Sequence, residues 1–394
     1  MVNQLHILVN LQMNRLMKIH LILDIKLQVV MNNLANLSFS KYRLKVAKDL
    51  RGLSNKDLSN ILSCTEVTVS NYLNENKPFV PDFERIVLLS EKLGLPFSFF
   101  QSNYDKRVSD EQIFYRSFNR IKAQYRNSAR AYSEFAIQTL EFFDNKISNL
   151  PKFKGINVDI DNLIDDPEKT ALTLRAEWKL GMLPIKNMIG VLESHGIAVF
   201  RLPLEVKEVD AFSFYHDGRP IIFLNTFKSP ERQRFDAAHE LGHIILHSDD
   251  VNVLQNMKEK ENQADRFAAS FLMPKDLFIS NAPNNLSLQN MIHYKHYWKV
   301  SLVALNYNLH KLGLLSEWKY RANTIEFSKN GYYNSEPESV ERDEPILLNK
   351  IIDILLKKEG RNFHQPLDFG FQIFDEITFK LTSNKIRPKL RVLT

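Results

Sequence analysis

The sequence predicts a mainly α-helical protein with a small β-sheet, an α+β chain divided into two or three domains. Three observations lead there. A length of 394 residues exceeds what one hydrophobic core usually organises. Only 12 glycines lean the chain towards helix and exclude collagen-like, Gly-rich and blade-repeat architectures. Two short β-branched and aromatic runs, residues 197–202 and 220–224, stand among helical segments with well-marked starts.

Composition narrows the class further. With 44% hydrophobic and 25% charged residues the chain reads as soluble and globular rather than disordered. The balance of 52 basic and 46 acidic residues, 52 − 46 = +6, permits an acidic partner such as nucleic acid without requiring one. The single cysteine, Cys64, excludes an intramolecular disulfide and a cysteine-based zinc site, so the chain needs no oxidising compartment. No window holds about 18 consecutive apolar residues, which argues against a membrane span, and the expected compartment is the cytoplasm.

Residues 1–40 are apolar with Arg15, Lys18, Asp24 and Lys26 interspersed, and they lack the compact apolar block and cleavage site of a secretory signal. They read as a poorly ordered extension or an over-long start, with Met31 as an alternative initiator; a membrane-surface helix is the rival reading.

Residues 41–104 read as a string of short helices. Ser54 followed by Asp57 makes a capping box, and Leu58, Ile61 and Leu62 give the apolar face behind it. A break at residues 63–65 leads into a helix from Glu66 to Asn74 whose expected inward positions are Val67, Val69 and Leu73 or their neighbours. Two short helices joined by a tight turn form the helix-turn-helix pattern. The segments LKVAKDLRGLSNKDLSNIL and LGLPFSFF resemble the Xre-type helix-turn-helix domain of phage repressors, which implies a five-helix bundle. By that likeness Thr65, Glu66, Thr68 and Asn71 sit near the start of the helix that would enter a DNA major groove. Asn and Thr can read base edges, but the helix has no Arg or Lys, and Glu66 repels phosphate. Nine basic and seven acidic residues leave these 64 positions with a net charge of +2, and Leu73 stands where the family usually has glutamate. The region therefore carries two readings, an operator-binding domain and a protein-docking or dimerisation module; a homodimer is a further expectation.

Residues 105–165 read as a helical connector followed by a linker. Arg116, Arg120, Lys122, Arg126 and Arg130 occur with no acid between Glu111 and Glu134, which suits a solvated face able to add phosphate contacts. Residues 151–164 are polar and acidic, as in a linker.

Residues 166–315 carry the chemistry. Asp166-Pro167 supplies an N-cap and a pre-set first turn, and Leu183-Pro184 marks the next helix start. Ser229-Pro230-Glu231 opens a long helix with a capping side chain, a first-turn proline and a carboxylate at the positive end. That helix contains His239-Glu240-Leu241-Gly242-His243. Residues four apart on a helix project together, so His239 and His243 can grip one cation. Neutral imidazoles suit Zn²⁺, one ion per chain, and a catalytic zinc takes three protein ligands and leaves one open position. Glu240 stands between the histidines, where it can accept a proton from an attacking water.

The motif H-E-x-x-H arises at random in roughly one chain in fifty of this composition, so a third ligand matters. Residues 258–274, KEKENQADRFAASFLMP, form a second helix on which Glu261 and Asp265 share a face. Glu261 follows His243 at a distance that allows a turn and a return, and Asp265 then falls where it can accept the free ring N–H of a liganding histidine. Glu259 is the rival third ligand, though Gln263 stands where its supporting acid would be. His247 lies about 12 Å along the axis from His239, too far for both to share one tetrahedral ion. Asp249 excludes the metzincin pattern, whose last histidine would fall there.

The segments EWKLGMLPIKNMIGVLESHGIAVF, RPIIFLN, RQRFDAAHELGHIILH, ENQADRFAASFLMP and YWKVSLVALNYNLHKLGLL resemble the ImmA/IrrE family of metallopeptidases, whose site design is similar to that of the thermolysin-like gluzincins. With the Xre-type segment in front, the likeness spans most of residues 41–345. It implies zinc on His239, His243 and Glu261, Glu240 as general base and Asp265 as their support. It also implies a protein substrate of the Xre-type repressor class. His310 departs from the arginine that relatives usually carry there.

A peptide substrate is expected to add as a strand beside residues 219–225. Candidate oxyanion donors are His293, Tyr294, His296 and Tyr307. Phe235, Ala238, Ile245, Leu246, Phe267, Phe271 and Leu272 read as packing around the site, and Trp298, Val300, Leu305 and Leu309 as the core of a small helical cap. Residues 316–394 form a C-terminal helical region: an acidic, proline-punctuated linker at 334–345, an amphipathic helix at 346–356 and an apolar stretch at 369–381. The rival to a peptidase is a non-catalytic transcription regulator whose metal domain senses a ligand or binds a partner protein.

Overall fold

Hydroxyl and carboxylate caps set the helix starts in the N-terminal unit, Met1–Asp105. The structure is a computed structural model that describes residues 39–104, 107–108, 113–114, 122–155, 166–203, 208–247 and 257–386. The readings made for residues 1–38, for Arg116 and Arg120, for most of the 151–164 linker and for Asp249 lie outside the described residues.

Ser40 accepts from the Arg43 amide at the start of α1 (Lys41–Leu50). The expected capping box of Ser54 and Asp57 opens α2 (Asn55–Ile61), with both reciprocal bonds made. Thr65 caps α3 (Glu66–Leu73). Asp82 caps α4 (Phe83–Leu93), which Gly94 ends in the left-handed conformation at φ 64°. Each such cap contributes about 1 kcal/mol. The last helical turn, Phe97–Gln101, is 3₁₀ rather than α, so the described residues of this unit hold four α-helices and a 3₁₀ turn. Leu44, Leu58, Val69, Leu89, Phe99 and Phe100 are fully buried.

One inward assignment fails. Val67 is 70% exposed, and Tyr72 rather than Leu73 is buried. With Val69 at the centre of the inward face, the helical step of three reaches Tyr72, while Val67, two residues away, turns to solvent.

The second unit, Lys106–Thr394, is built on a four-stranded sheet. Its early elements are β1 (Ile113–Phe114), α5 (Ala123–Lys146), α6 (Pro167–Glu177) and α7 (Met188–Ser194). Asp166 and Pro167 start α6 as expected. Leu183-Pro184 does not start α7; Asn187 does, accepting from the Gly190 amide. There follow β2 (Ala198–Leu202), β3 (Ala211–His216) and β4 (Arg219–Asn225), in the sheet order β1-β3-β4-β2. β2 runs parallel to β4, and β1 and β4 flank β3 antiparallel. The β3–β4 hairpin turns on Asp217-Gly218, both at positive φ, the pair a tight hairpin turn favours. The sequence reading missed β3, although this Asp-Gly marks it.

Alternation along the strands separates two faces. Val199, Ile222 and Leu224 join the core of α8 (Pro230–Leu246) and α9 (Met257–Leu272), which also takes in α6 and α7. The short α10 (Lys275–Ser280) leads to α11 (Leu288–Trp298), α12 (Leu302–Lys311) and α13 (Glu317–Lys329). Trp298, Val300, Leu305 and Leu309 are buried there, as a helical cap requires.

The opposite face is aromatic, with Phe212 stacked on Phe223 at 4.9 Å and Phe200 at 5.6 Å from Phe223. Here the sequence reading needs correction. α5 is no solvated connector: Tyr132, Phe135 and Ala136 on it are fully buried. It packs with the C-terminal helices α14 (Leu347–Glu359), α15 (Phe371–Ile377) and α16 (Leu381–Ile386), Phe135 lying 4.7 Å from Phe369 and Phe143 6.2 Å from Phe374. An isolated helix with this much apolar surface has no stable place in water, so α5 and the C-terminal region complete one core between them.

Residues 334–345 are likewise a strap rather than a free linker. Ser339 and the Val340 amide donate to Glu231, Arg342 donates to Gln233, and Asp343 pairs with buried Arg234 and accepts from the Met188 amide. Among the described residues no helix is long and apolar enough to cross a membrane.

Candidate metal centre

Ser229 caps α8 by accepting from the Arg232 amide, and Pro230 occupies its first turn, as the sequence indicates. The helix is buried on nearly every side, and Glu231, Arg232, Arg234 and Asp236 on it all have partners of opposite charge. Glu231 meets Lys295 at 2.8 Å, both with side chains wholly buried, and Glu336 reaches the same ammonium at 3.2 Å. These pairs anchor the helix that presents His239, Glu240 and His243.

α9 packs along α8, and Gly242 sets how close it comes. A Cβ at 242 would lie 3.2 Å from the Ala264 Cα and from the Phe267 ring. That approach carries Glu261 to the imidazoles. The three residues offer ligand atoms that all lie within 4.8 Å of one another. His239 Nε2 and His243 Nε2 are 3.0 Å apart, and the Glu261 oxygens lie 3.5 Å from the first and 3.3 Å from the second. Bonds of about 2.0–2.1 Å to a tetrahedral ion give ligand–ligand edges of about 3.3 Å, so the donor set fits one such ion. All three side chains are buried, at 6%, 6% and 8% exposure, and Glu259 is exposed, which leaves Glu261 as the third member.

The surroundings tune these groups. Asp265 Oδ1 lies 2.8 Å from His239 Nδ1 and orients that ring through its far nitrogen. Burial disfavours a charged His239, but the hydrogen bonds to Asp265 and Glu261 outweigh it and push it up to about 9. Burial draws His243 down to about 4. Burial would raise Glu261 too, yet the hydrogen bonds from both imidazoles hold it at about 2, ionised and ready to ligate. Glu240 is pushed up to about 7 by burial, against the pull of His239 and of the hydroxyl of Ser213, which donates to its Oε2 at 2.7 Å. A carboxylate near neutrality suits proton transfer in either direction.

Two partners of the site escaped the sequence reading. Ser213 lies on the strand that was not foreseen. His247, set aside as a ligand, lies 3.1 Å from His243 through the two Nδ1 atoms and 2.9 Å from the Gln263 Oε1 through its Nε2. The four-residue step from 243 to 247 was the signal available for it.

Other expected site residues fall elsewhere. Tyr294 is buried against Phe278 and Trp298, and its hydroxyl donates to the Phe278 carbonyl. His293 is exposed beside Gln289, His296 lies near the Glu338 carbonyl, and Tyr307 is 55% exposed. His310 stacks on Tyr320 and pairs with Glu317 at 3.0 Å. The strand 219–225 cannot accept a peptide, because β3 and β2 occupy both its edges. Phe235 is only partly buried, whereas Ala238, Ile245, Leu246, Phe267, Phe271 and Leu272 pack in the core as expected.

In the N-terminal unit Thr65 spends its hydroxyl on the Thr68 amide and lies 2.9 Å from the Thr68 hydroxyl. Glu66 is exposed, and Asn71 is half-buried, its carbonyl accepting from Lys41. Val67 and Ser70 share the exposed surface of α3.

Residues 192–310 match the family model of the IrrE N-terminal-like domain, a Peptidase M78 model. The matched segment contains every member of the metal cluster, and it is similar in this to metallopeptidases of the ImmA/IrrE type. No curated protein matches the chain.

Proposed function

We propose that the second unit is a zinc endopeptidase that hydrolyses a peptide bond in a protein substrate, a repressor of the Xre type, and that the chain acts in the cytoplasm as a transcriptional regulator. The observation that supports this best is the convergence of two imidazoles, one carboxylate and a separate buried acid on two packed helices, within a segment that matches the family model. A zinc ion on His239, His243 and Glu261 would supply Lewis acidity and make a water nucleophilic near neutral pH.

The chain's own residues do the rest. Glu240 takes a proton from the attacking water and delivers it to the leaving amine nitrogen as the C–N bond breaks. Ser213 holds Oε2 of that carboxylate, leaving Oε1 for the proton.

The test is co-incubation with the repressor encoded nearby, with and without chelator, comparing the parent with Glu240→Gln. The proposal requires that this variant keep one zinc per chain and lose cleavage. A variant that cleaves as the parent does, or one that regulates its target genes equally well without cleaving, removes the proteolytic account and favours the non-catalytic regulator.

For the N-terminal unit we propose a helix-turn-helix that binds an operator through α3, supported by the capped pair α2–α3 and by the exposed Glu66, Val67 and Ser70 on α3. Salt-dependent retention on the upstream DNA should be lost in Thr68→Ala/Asn71→Ala; no retention at any salt concentration assigns α3 to protein docking instead.

A further inference from the structure

His247 and Gln263 form a hydrogen-bonded chain behind His243. The ring of His247 is buried, at 5% exposure, and caps the end of α8. Its Nδ1 lies 3.1 Å from His243 Nδ1, and its Nε2 lies 2.9 Å from Gln263 Oε1, across the interface with α9. Gln263 stands two residues from Glu261, on the helix that brings the third ligand.

The direction of this chain follows from the chemistry of an imidazole ligand. His243 turns Nε2 towards His239 Nε2 and Glu261. An imidazole that gives the Nε2 lone pair to an ion carries its hydrogen on Nδ1. That N–H must donate, and the atom facing it is His247 Nδ1, which must therefore offer a lone pair. A neutral His247 with a bare Nδ1 carries its hydrogen on Nε2, and there the Gln263 carbonyl oxygen accepts it. Every link then runs away from the cluster.

The two ligands are thus held differently. His239 leans on the carboxylate of Asp265 at 2.8 Å, while His243 leans on a second imidazole whose own orientation is set by an amide. We infer that His247 and Gln263 are positioning residues: His247 fixes the ring and tautomer of His243 in the form that binds a metal, and Gln263 fixes those of His247. The inference rests on the metal centre proposed above, and its test separates the two.

The measurement is zinc affinity of the full chain at one fixed pH, by competition with a chromophoric chelator. His247→Phe keeps a ring and removes the acceptor, so its affinity should fall about 10–100-fold. His247→Asn restores an acceptor near the Nδ1 position and should recover most of that loss. Gln263→Leu should weaken binding in the same direction, with little further loss when added to His247→Phe, because the two act in series. Thermal melts of the metal-free proteins check that each variant folds. Nitrogen-15 NMR of the unsubstituted, zinc-loaded chain reads the tautomer directly: His247 should carry its hydrogen on Nε2. An Nδ1–H tautomer, or an unchanged affinity in His247→Phe, overturns the relay. His239→Ala is the control for the centre itself: if it binds zinc as the parent does, the metal site fails, whereas loss there with no change in His247→Phe sinks the relay alone.

Discussion

Ser213 Oγ donates to Glu240 Oε2 over 2.7 Å, a fully buried bond that ties the hairpin strand β3 to the metal-bearing helix α8. A strand held between β1 and β4 thereby also orients the acid proposed to move the proton.

Removing that hydroxyl isolates its contribution. Ser213→Ala should keep stoichiometric zinc and lower cleavage about 10–100-fold, the value of about 1.5–3 kcal/mol for a hydrogen bond to a charged group. Steady-state kinetics beside metal analysis reads both; unchanged cleavage would falsify the orienting role.

Gly242 leaves little room for a side chain. A Cβ there meets the Ala264 backbone at 3.2 Å, and backbone cannot rotate away as a side-chain tip can. Gly242→Ala is expected to destabilise the fold by about 1–3 kcal/mol by forcing α9 from α8, and to weaken zinc binding as Glu261 retreats. Chemical denaturation and metal titration report the two effects.

The buried Glu231–Lys295 pair should shape the acid limb of stability. Burial alone would raise the Glu231 carboxyl, but Lys295 and the Val340 amide more than offset it and leave it below the ordinary 4.5. A depressed folded-state value means a contribution that is complete above the unfolded value and is lost as pH falls through the folded one. Glu231→Gln leaves the buried ammonium with Glu336 as its remaining carboxylate and should cost up to about 3–5 kcal/mol near neutrality. The gap between parent and variant in urea midpoints should hold steady through about pH 6–8 and shrink below about 4.5.

The C-terminal helices should prove indispensable to folding. A chain ending at residue 345 uncovers Phe135, Phe142 and Phe143, which face Phe369, Phe363 and Phe374. Such a chain is expected to aggregate or to bind hydrophobic dyes. Phe135→Ala in the full chain should cost about 3–5 kcal/mol in a thermal or urea melt, with the metal ligands untouched. A soluble, normally melting truncation would contradict the shared core.

Much of the site was legible before any fold. The H-E-x-x-H spacing, the cap at Ser229 and the Glu261/Asp265 step are local, and helical geometry alone converts them into a cluster on two helices. Caps at Ser54 and Asp166 were legible for the same reason. Long-range partners were not: β3 hid behind a weak alternation, so Ser213 had no place, and a strand seen singly, 219–225, looked like an edge until two neighbours closed it.

By itself, then, the sequence determined what short-range periodicity and capping can encode: the helices, the residues four apart that face one ion, and the acid between them. Only the tertiary structure decided that α5 and residues 347–386 share one aromatic core, that residues 334–345 strap α8, and that His247 and Gln263 stand behind His243. Those outcomes depend on which apolar surfaces meet and which buried charges find partners, and burial is a property of the whole chain rather than of any window of it.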